Sequence, residues 1–306
     1  MSAADISQRL LDYAIESERK SIYADIAALE QYGCDIIKTS KGWFIGEREF
    51  ELPETYLLCD AVSSAKFITA KKTREILGKL YGMMSIYQAR RSRNRVYFGM
   101  ADKCGNESLY YNIDRISRAV EENRQIRLIY SSRKLGTDGQ IAYGSKEMTV
   151  NPYAMTWQDD YYYLIANHTK YDNLMHLRID RIRDVEITDV PARSFSQVSE
   201  YTDFFDVADY TNKLFGMYSG EIQKIELYCS NSIAEQVFDR FGEDVLIRGK
   251  DGEGFILRVQ AALSDALVTW IINYGRNIKV ISPECLKEMV VGRAKAVLEN
   301  YTQNGK

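Results

Sequence analysis

Residues 125–190 contain five short apolar stretches that are typical of β-strands, with no helical pattern between them. The candidate strands are Ile126–Ser131, Lys146–Asn151, Tyr161–Asn167, Leu174–Ile179 and Val185–Thr188. Each is rich in β-branched or aromatic residues, and the breaks between them contain Gly or Asp. Because a series of short strands buries its apolar side chains well by curling on itself, we predict a small β-barrel here.

The last third of the chain alternates between strand-like and helix-like patterns. The predicted strands are Ile222–Cys229, Asp244–Arg248, Phe255–Ala262 and Ile278–Ile281, and the predicted helices are Ser232–Phe241, Ala266–Tyr274 and Pro283–Tyr301. Proline suits the first position of a helix, which supports the start of the closing helix. The order βαββαβ predicts a ferredoxin-like, split βαβ domain.

Residues 2–46 combine two helical patterns with a hairpin. Ser2 and Ser17 can each cap the N-terminus of a helix. Two short strand patterns, Ile36–Thr39 and Trp43–Ile45, follow the second helix and are joined by a tight turn. A short helix, a longer helix and a hairpin predict a winged helix-turn-helix.

The core of this first domain is incomplete in the sequence. Ile22, Ile26 and Leu29 follow the i, i+4, i+7 spacing of one buried stripe on the second helix. A winged helix usually has a further helix ahead of the helix-turn-helix, and this sequence starts after that point. We therefore expect a winged helix that lacks its first helix, because of a truncated start, a covering partner chain or a degenerate domain.

Six polar residues of this domain are candidates for contact with double-stranded DNA. They are Arg19, Lys20, Ser21 and Tyr23 on the second helix, and Lys38 and Lys41 near the hairpin tip. The helix would enter the major groove and the hairpin would contact phosphate. However, Ala24 and Ala27 also face outward and offer no hydrogen bond. The pattern alone is equally typical of any small helical domain.

Charge is unevenly distributed along the 306 residues, although the net charge is only −3. Residues 66–103 hold ten Lys or Arg and two Asp or Glu, and four of the arginines are Arg90, Arg91, Arg93 and Arg95. The pattern of residues 53–93 is mostly helical, with a strong helix from Lys71, and a second helix is predicted around Tyr111–Asn123. The basic segment is either a solvated helix face or a track for nucleic-acid phosphates.

Composition argues against most enzyme classes. Only two histidines are present, and the five cysteines lie at least 25 residues apart, so no Cys-x-x-Cys or metal-ligand pattern occurs. The glycines of residues 249–254 lie between two predicted strands, as in a hairpin turn, and not between a strand and a helix. We expect no catalytic site, cofactor or metal. No signal peptide and no long apolar run is present, so we expect a cytoplasmic protein.

Aromatic residues and arginines are concentrated in the predicted barrel. Alternation along its third strand places Tyr162 and Leu164 on one face, and Tyr161, Tyr163 and Ile165 on the other. Trp157 precedes this strand, and Arg178 and Arg181 follow it. Such residues can stack a base and clamp a phosphate. An ordinary barrel core with Arg–Asp pairs on its surface explains the pattern equally well.

Three motifs carry a resemblance to a known family. They are Asn-Pro-Tyr-Ala (151–154), Tyr-Tyr-Leu-Ile-Ala (162–166) and Leu-Arg-Ile-Asp-Arg-Ile (177–182). These strongly resemble the WYL-domain family of bacterial transcription regulators, whose naming Trp-Tyr-Leu triplet is here Tyr-Tyr-Leu. The segment 17–29 is similar to the family's recognition helix, and 110–114 is similar to the segment before its barrel.

The resemblance implies an α+β multidomain chain: a winged helix-turn-helix, a helical linker, an Sm/SH3-like WYL barrel and a ferredoxin-like C-terminal extension domain. Family members are often dimeric and sense a ligand, which for some is single-stranded nucleic acid. By position, the family's ligand-facing residues would be Tyr130, Trp157, Tyr162, Arg178 and Arg181. Family members commonly have a basic residue where this recognition helix has Ala24.

We therefore expect four domains: a DNA-binding domain at 1–46, a helical linker or dimerisation segment at 47–124, a ligand-sensing domain at 125–195 and an extension domain at 196–306. The predicted function is that of a homodimeric, ligand-responsive transcription regulator. It would bind double-stranded DNA and an anionic ligand, such as single-stranded nucleic acid or a nucleotide. The alternative is an accessory protein that binds single-stranded RNA or DNA and whose winged helix is degenerate.

Overall fold

The computed structural model describes residues 1–46, 49–85, 88–90, 103–250 and 252–302. The chain forms two compact units. The N-terminal unit comprises residues 1–64 and 70–101, and the C-terminal unit comprises residues 65–69 and 102–306. The segment predicted as a helical linker is therefore divided between the units. Among the described residues, no helix is long and apolar enough to cross a lipid bilayer.

The N-terminal unit begins with two helices and a hairpin, in the predicted order. Its elements are α1 (Ala3–Leu11), α2 (Arg19–Gln31), β1 (Ile36–Thr39), β2 (Gly42–Ile45), α3 (Leu52–Ser64) and α4 (Ala70–Gly82). Strands β1 and β2 pair in antiparallel register, with Lys38 opposite Trp43. The helix predicted from Lys71 is α4, and Leu77 is its buried apolar residue.

The two predicted helix caps have different outcomes. The Ser2 hydroxyl accepts a hydrogen bond from the Asp5 amide, and the Asp5 carboxylate accepts one from the Ser2 amide, so α1 has a capping box. The prediction for Ser17 is wrong, because α2 begins after Glu18 without a side-chain cap. The Ser17 hydroxyl is instead turned inward and has no hydrogen-bond partner among the described residues.

The predicted buried stripe on α2 is only partly correct. Ile22 is 2% exposed, and Ile26 is half-buried. Leu29, one turn further along, is 48% exposed. The apolar periodicity identified the helix, but it did not determine how far along the helix the core extends.

The first sheet of the C-terminal unit has five antiparallel strands. They are β3 (Arg124–Leu135), β4 (Ile141–Gln158), β5 (Tyr161–His168), β6 (Leu174–Arg178) and β7 (Ile182–Pro191), in the spatial order β6-β5-β4-β3-β7. All five predicted strands are present. Among the described residues, no ladder joins the edge strands β6 and β7. Strand β4 is much longer than predicted, because a bulge between Pro152 and Ala154 lets it continue to Gln158.

Helix α5 (Leu109–Glu121) packs on this sheet through Leu109, Ile116 and Ala119, which are all fully buried. Two buried asparagines connect the helix region to the end of the sheet. The side-chain amides of Asn106 and Asn112 donate hydrogen bonds to the Ile182 carbonyl oxygen, at 2.7 Å and 2.9 Å. These bonds fix the start of β7 and the 3-10 turn Ile179–Arg181 that precedes it.

The connector after β7 includes a short helix, α6 (Val207–Asn212). Its apolar residues form a core that the two sheets of this unit share. The members are Ile165, Leu174, Val198, Phe205, Tyr210, Leu214, Met217 and Ala262. Since this core includes residues from β5 and from the second sheet, the connector packs between them.

The second sheet belongs to a βαββαβ domain. Its elements are β8 (Ile222–Ser230), α7 (Ala234–Phe241), β9 (Leu246–Lys250), β10 (Gly254–Ala262), α8 (Asp265–Asn273), β11 (Ile278–Ser282) and α9 (Glu284–Thr302). The strand order is β11-β8-β10-β9, with every neighbouring pair antiparallel. Strands β8 and β9 therefore run parallel on either side of β10, which confirms the split βαβ prediction.

The buried centre of this domain generates a stability prediction. Leu227 lies in the central strand β8 and is 0% exposed. We expect Leu227→Ala to lower the free energy of unfolding by about 2–5 kcal/mol, because the substitution leaves a cavity. The matched control is Leu298→Ala, since Leu298 on α9 is 63% exposed. Urea denaturation of both variants measures the difference, and equal losses would contradict the assigned core.

Candidate functional site

Three arginines line a cavity of about 190 Å³ at one end of the five-stranded sheet. We call it the arginine cavity. Its lining residues are Arg133, Arg181 and Arg183, together with Cys104, Gly105, Asn106, Ser131, Tyr143 and Asp180. Strand β3, strand β4, the 3-10 turn and strand β7 each contribute to it. Three separate elements, β3, the 3-10 turn and β7, thus bring the guanidinium groups together.

Strand register explains why these side chains meet. Arg133 of β3 lies directly opposite Tyr143 of β4, so both side chains project from the same face. Ser131 is two residues before Arg133 and shares that face. The Arg183 Nε atom donates a hydrogen bond to the Ser131 hydroxyl at 3.0 Å. The cavity therefore combines cationic groups with an exposed aromatic ring.

Within the described residues, the three arginines of the cavity have no acidic partners. All three side chains are exposed, and none forms a salt bridge within the described part of the chain. Guanidinium groups bind carboxylates and phosphates through paired hydrogen bonds. The arrangement is therefore suited to a ligand that carries an anionic group.

Arg178 lies beside the cavity and has a different role. Its guanidinium forms two hydrogen bonds to the Asp180 carboxylate, at 3.0 Å and 2.7 Å, and lies 3.3 Å from the centre of the Tyr161 ring. Burial alone would lower the pKa of the Arg178 guanidinium. The hydrogen bonds and the negative charge of Asp180, with a contribution from Tyr161, have the larger effect, so the pKa of Arg178 is raised. Arg178 thus neutralises the one carboxylate that lines the arginine cavity.

The structure places the five predicted ligand-binding residues in three locations. Arg181 lines the arginine cavity. Arg178 is held by Asp180, and its backbone amide donates a hydrogen bond to the Tyr130 hydroxyl at 3.3 Å. Trp157 and Tyr162 face each other across the β4–β5 ladder and pack against Phe67, with ring centres 5.1 Å and 5.5 Å away.

Alternation along β5 accounts for this separation. Arg178 lies opposite Tyr163 in the β5–β6 ladder, so it shares a face with Tyr163 and Tyr161. Tyr162 is on the other face, as predicted. A single pocket that combines Arg178 with Tyr162 is therefore not formed by this sheet.

Sequence reasoning missed Arg133, Arg183, Ser131 and Tyr143. A signal was available for Arg183, which follows Arg181 after one residue and comes directly after the 177–182 motif. No comparable signal existed for Arg133 and Tyr143. Their meeting depends on the register of the β3–β4 hairpin, which extends ten pairs from Ile126 and Val150 to Leu135 and Ile141.

Four of the six predicted DNA-contacting residues share a cleft of about 360 Å³ in the N-terminal unit. They are Arg19, Tyr23, Lys38 and Lys41. The rings of Tyr23 and Trp43 meet edge to face, with their centres 4.9 Å apart. Lys20 and Ser21 are exposed on α2 outside this cleft. The first turns of α2 and the hairpin tip are therefore adjacent.

Three of the five described lysines of the basic segment, Lys66, Lys72 and Lys103, have structural partners, and Lys72 pairs with Glu75 at 3.2 Å. Lys66 forms a salt bridge with Asp160 at 2.5 Å, and Lys103 donates a hydrogen bond to the Ala65 carbonyl oxygen at 2.8 Å. Burial lowers the pKa of the Lys103 ammonium group. Arg91, Arg93 and Arg95 lie outside the described residues. The predicted track for nucleic-acid phosphates therefore stays a prediction.

Comparison with known families identifies the domain to which the five-stranded sheet belongs. The model of the WYL domain matches residues 111–187, which cover most of α5, most of the five-stranded sheet and the arginine-rich turn. The chain therefore contains a WYL domain. The model of the WCX domain matches residues 221–298, which correspond to the βαββαβ domain.

Two further comparisons concern whole proteins. No curated protein sequence matches this chain. A solved structure of proteasome accessory factor B/C (PafBC) of Arthrobacter aurescens is similar at 19% identity, with a TM-score of 0.34. The alignment covers 98% of the WYL-domain protein and 46% of PafBC. The chain thus spans less than half the length of that structure.

Two titratable groups near the five-stranded sheet are held neutral by burial. Burial raises the pKa of the Cys104 thiol, so the thiol in the arginine cavity stays protonated. Burial also lowers the pKa of His176 to about 4. The two ring nitrogens of His176 are 3.0 Å from the Tyr210 hydroxyl and 3.2 Å from the Ser219 hydroxyl. Among the described residues, no cluster of metal-ligand side chains is present.

The buried imidazole gives this WYL-domain protein a predictable pH dependence. The pKa of His176 falls from 6.5 to about 4 on folding, so the unfolded chain takes up the proton first as the pH decreases. The contribution of the neutral His176 to the free energy of unfolding is fully present above pH 6.5 and is lost as the pH falls towards 4. Between pH 6.5 and pH 4 the free energy of unfolding of the wild type should fall by on the order of 3 kcal/mol more than that of His176→Gln.

Urea denaturation between neutral and acidic pH measures the effect as the difference between wild type and variant. The control is His168→Gln, because burial, Lys146 and Lys170 lower the pKa of His168 without enclosing it deeply. A pH dependence that is the same in wild type and His176→Gln would show that the imidazole is not held neutral.

Proposed function

We propose that this WYL-domain protein is a ligand-responsive, DNA-binding transcription regulator, which acts without catalysis as a cytoplasmic homodimer. Its WYL domain binds an anionic ligand in the arginine cavity. The observation that carries the proposal is the convergence of Arg133, Arg181 and Arg183 without acidic partners in the described residues. Arg178 supports the site by neutralising Asp180.

Nucleotides and single-stranded nucleic acid fit the surroundings of the cavity best. A volume of about 190 Å³ accommodates a phosphate group more readily than a whole nucleotide. Beside it, Tyr143 is 68% exposed, and Leu135 and Ile141 form an exposed cross-strand pair on the same face. A base can stack on this aromatic and apolar surface while its phosphate is bound by the arginines.

The N-terminal unit is the proposed DNA-binding part. Arg19, Lys20, Ser21 and Tyr23 would approach base edges in the major groove, with Lys38 and Lys41 on phosphate. The shared cleft of α2 and the hairpin favours this arrangement, because it places both elements on one surface. Regulation requires that the ligand bind one state of the dimer more tightly than another.

The alternative is an accessory protein that binds single-stranded RNA or DNA and does not bind duplex DNA. Its supporting observation is the outward face of α2, where Ala24 and Ala27 are exposed and offer no hydrogen bonds. Both hypotheses use the arginine cavity. They differ only in the activity of the N-terminal unit.

Ligand binding is tested with a fluorescently labelled single-stranded oligonucleotide and fluorescence anisotropy. We expect Arg181→Ala to weaken binding by about 10- to 100-fold, because a charge-assisted hydrogen bond contributes about 1.5–3 kcal/mol. The control is Arg248→Ala, since Arg248 is exposed on β9 and does not line the cavity. Equal affinity of wild type and Arg181→Ala would exclude the cavity as the binding site.

A double substitution tests the role assigned to Arg178. Arg178→Ala leaves the Asp180 carboxylate unneutralised at the cavity, so we expect weaker oligonucleotide binding. Adding Asp180→Asn removes that negative charge and should restore most of the affinity. If the double variant binds as weakly as Arg178→Ala alone, Arg178 contacts the ligand directly.

Duplex binding distinguishes the regulator from the accessory protein. We expect Lys20→Ala to abolish binding to a pool of genomic duplex fragments, with a reduced salt dependence in any binding that remains. The control is Lys224→Ala, because Lys224 is exposed in the WCX domain. If wild type binds single strands but no duplex, and Arg181→Ala removes that binding, the accessory function is correct.

A further inference from the structure

A second and larger cavity, of about 640 Å³, lies where the connector meets the WYL sheet and strand β8. Three loops form it: residues 172–174 before β6, residues 198–201 of the connector and residues 219–222 at the start of β8. Tyr210 of α6 completes the lining. We call this the connector cavity. Its size is within the range of about 300–1,000 Å³ that is typical of small-molecule sites.

The charge of the connector cavity is opposite to that of the arginine cavity. Three carboxylates line it, and none of its lining residues is Lys or Arg. Arg193 pairs with Asp172 at 2.7 Å, and Lys213 pairs with Glu200 at 2.6 Å. The Glu221 side chain has no hydrogen bond or ion pair among the described residues. One carboxylate is therefore left available to a ligand.

The walls of the cavity are apolar and aromatic. Leu174, Val198 and Ile222 contribute aliphatic surface, and Tyr201 and Tyr210 contribute rings. Both tyrosine hydroxyls are already engaged, by Asp209 at 2.5 Å and by His176 at 3.0 Å. The rings therefore offer a ligand mainly their carbon surfaces. The Lys213 ammonium group lies 5.3 Å from the centre of the Tyr201 ring, so this ring suits the apolar part of a ligand and not its charge.

We propose that the connector cavity binds a small organic amine whose ammonium group pairs with Glu221 and whose apolar part packs against Tyr201. This site is separate from the arginine cavity and does not depend on the function proposed above. His176 behind Tyr210 is neutral because of its burial, so it does not repel a cation. A single unpaired carboxylate suits one ammonium group better than a divalent metal, which requires several oxygen ligands.

Ligand-detected NMR on the full-length protein tests the proposal with two probes of similar shape and opposite charge. They are tyramine, which is a cation, and 3-(4-hydroxyphenyl)propionate, which is an anion. We expect tyramine to bind about 5-fold more tightly than the anion, since Glu221 is exposed and an exposed ion pair contributes up to about 1 kcal/mol. Equal binding of the two probes, or no saturable binding of tyramine, would overturn the proposal.

Two isosteric variants locate the binding. Glu221→Gln removes the proposed partner charge without changing the shape of the side chain, and it should weaken tyramine binding about 5-fold. Glu243→Gln makes the same change at an exposed glutamate that does not line the cavity, and it should bind tyramine like wild type. Circular dichroism establishes that both variants are folded. An unchanged tyramine affinity in folded Glu221→Gln would show that the amine binds elsewhere.

Discussion

The ion pair between Arg178 and Asp180 is the interaction on which the proposed ligand site depends. Both side chains are largely buried, with 20% and 9% exposed, so removal of either one would leave an unpaired charge in a poorly solvated position. The pair holds the 3-10 turn in place, and the Asn106 amide also donates to the Asp180 carbonyl oxygen at 3.2 Å. With the turn fixed and Asp180 neutralised, Arg181 and Arg183 project into a cavity of positive charge.

The sequence predicted elements better than it predicted contacts between them. Short runs rich in β-branched or aromatic residues, separated by Gly or Asp, located all five strands of the WYL sheet. The split βαβ order followed from the order of strands and helices alone. The meeting of Arg133 with Tyr143 could not be predicted in this way, because it depends on hairpin register. Alternation did place Tyr161 and Tyr162 on opposite faces. The stacking of Arg178 on Tyr161, which only the structure shows, is what separates Arg178 from Tyr162.

In the N-terminal unit, too, local elements were easier to predict than the contacts that bury them. The cleft of Arg19, Tyr23, Lys38 and Lys41 follows from local features, since a helix and the next hairpin are bound to be neighbours. The extent of the core was less predictable: Leu29 has the same periodicity as Ile22, yet their exposures differ greatly. Periodicity identifies the apolar face of a helix, whereas burial depends on which elements cover that face.

The two cavities of the C-terminal unit are joined by one short strand. Leu174 at the start of β6 lines the connector cavity, and Arg178 at its end holds Asp180 at the arginine cavity. Five residues in extended conformation place these ends only about 14 Å apart. A ligand that displaced β6 at one end would therefore act on the other through a single rigid element. If both cavities bind ligands, thermodynamic linkage requires any such effect to be reciprocal. An amine that alters anion affinity would have its own affinity altered by the same factor.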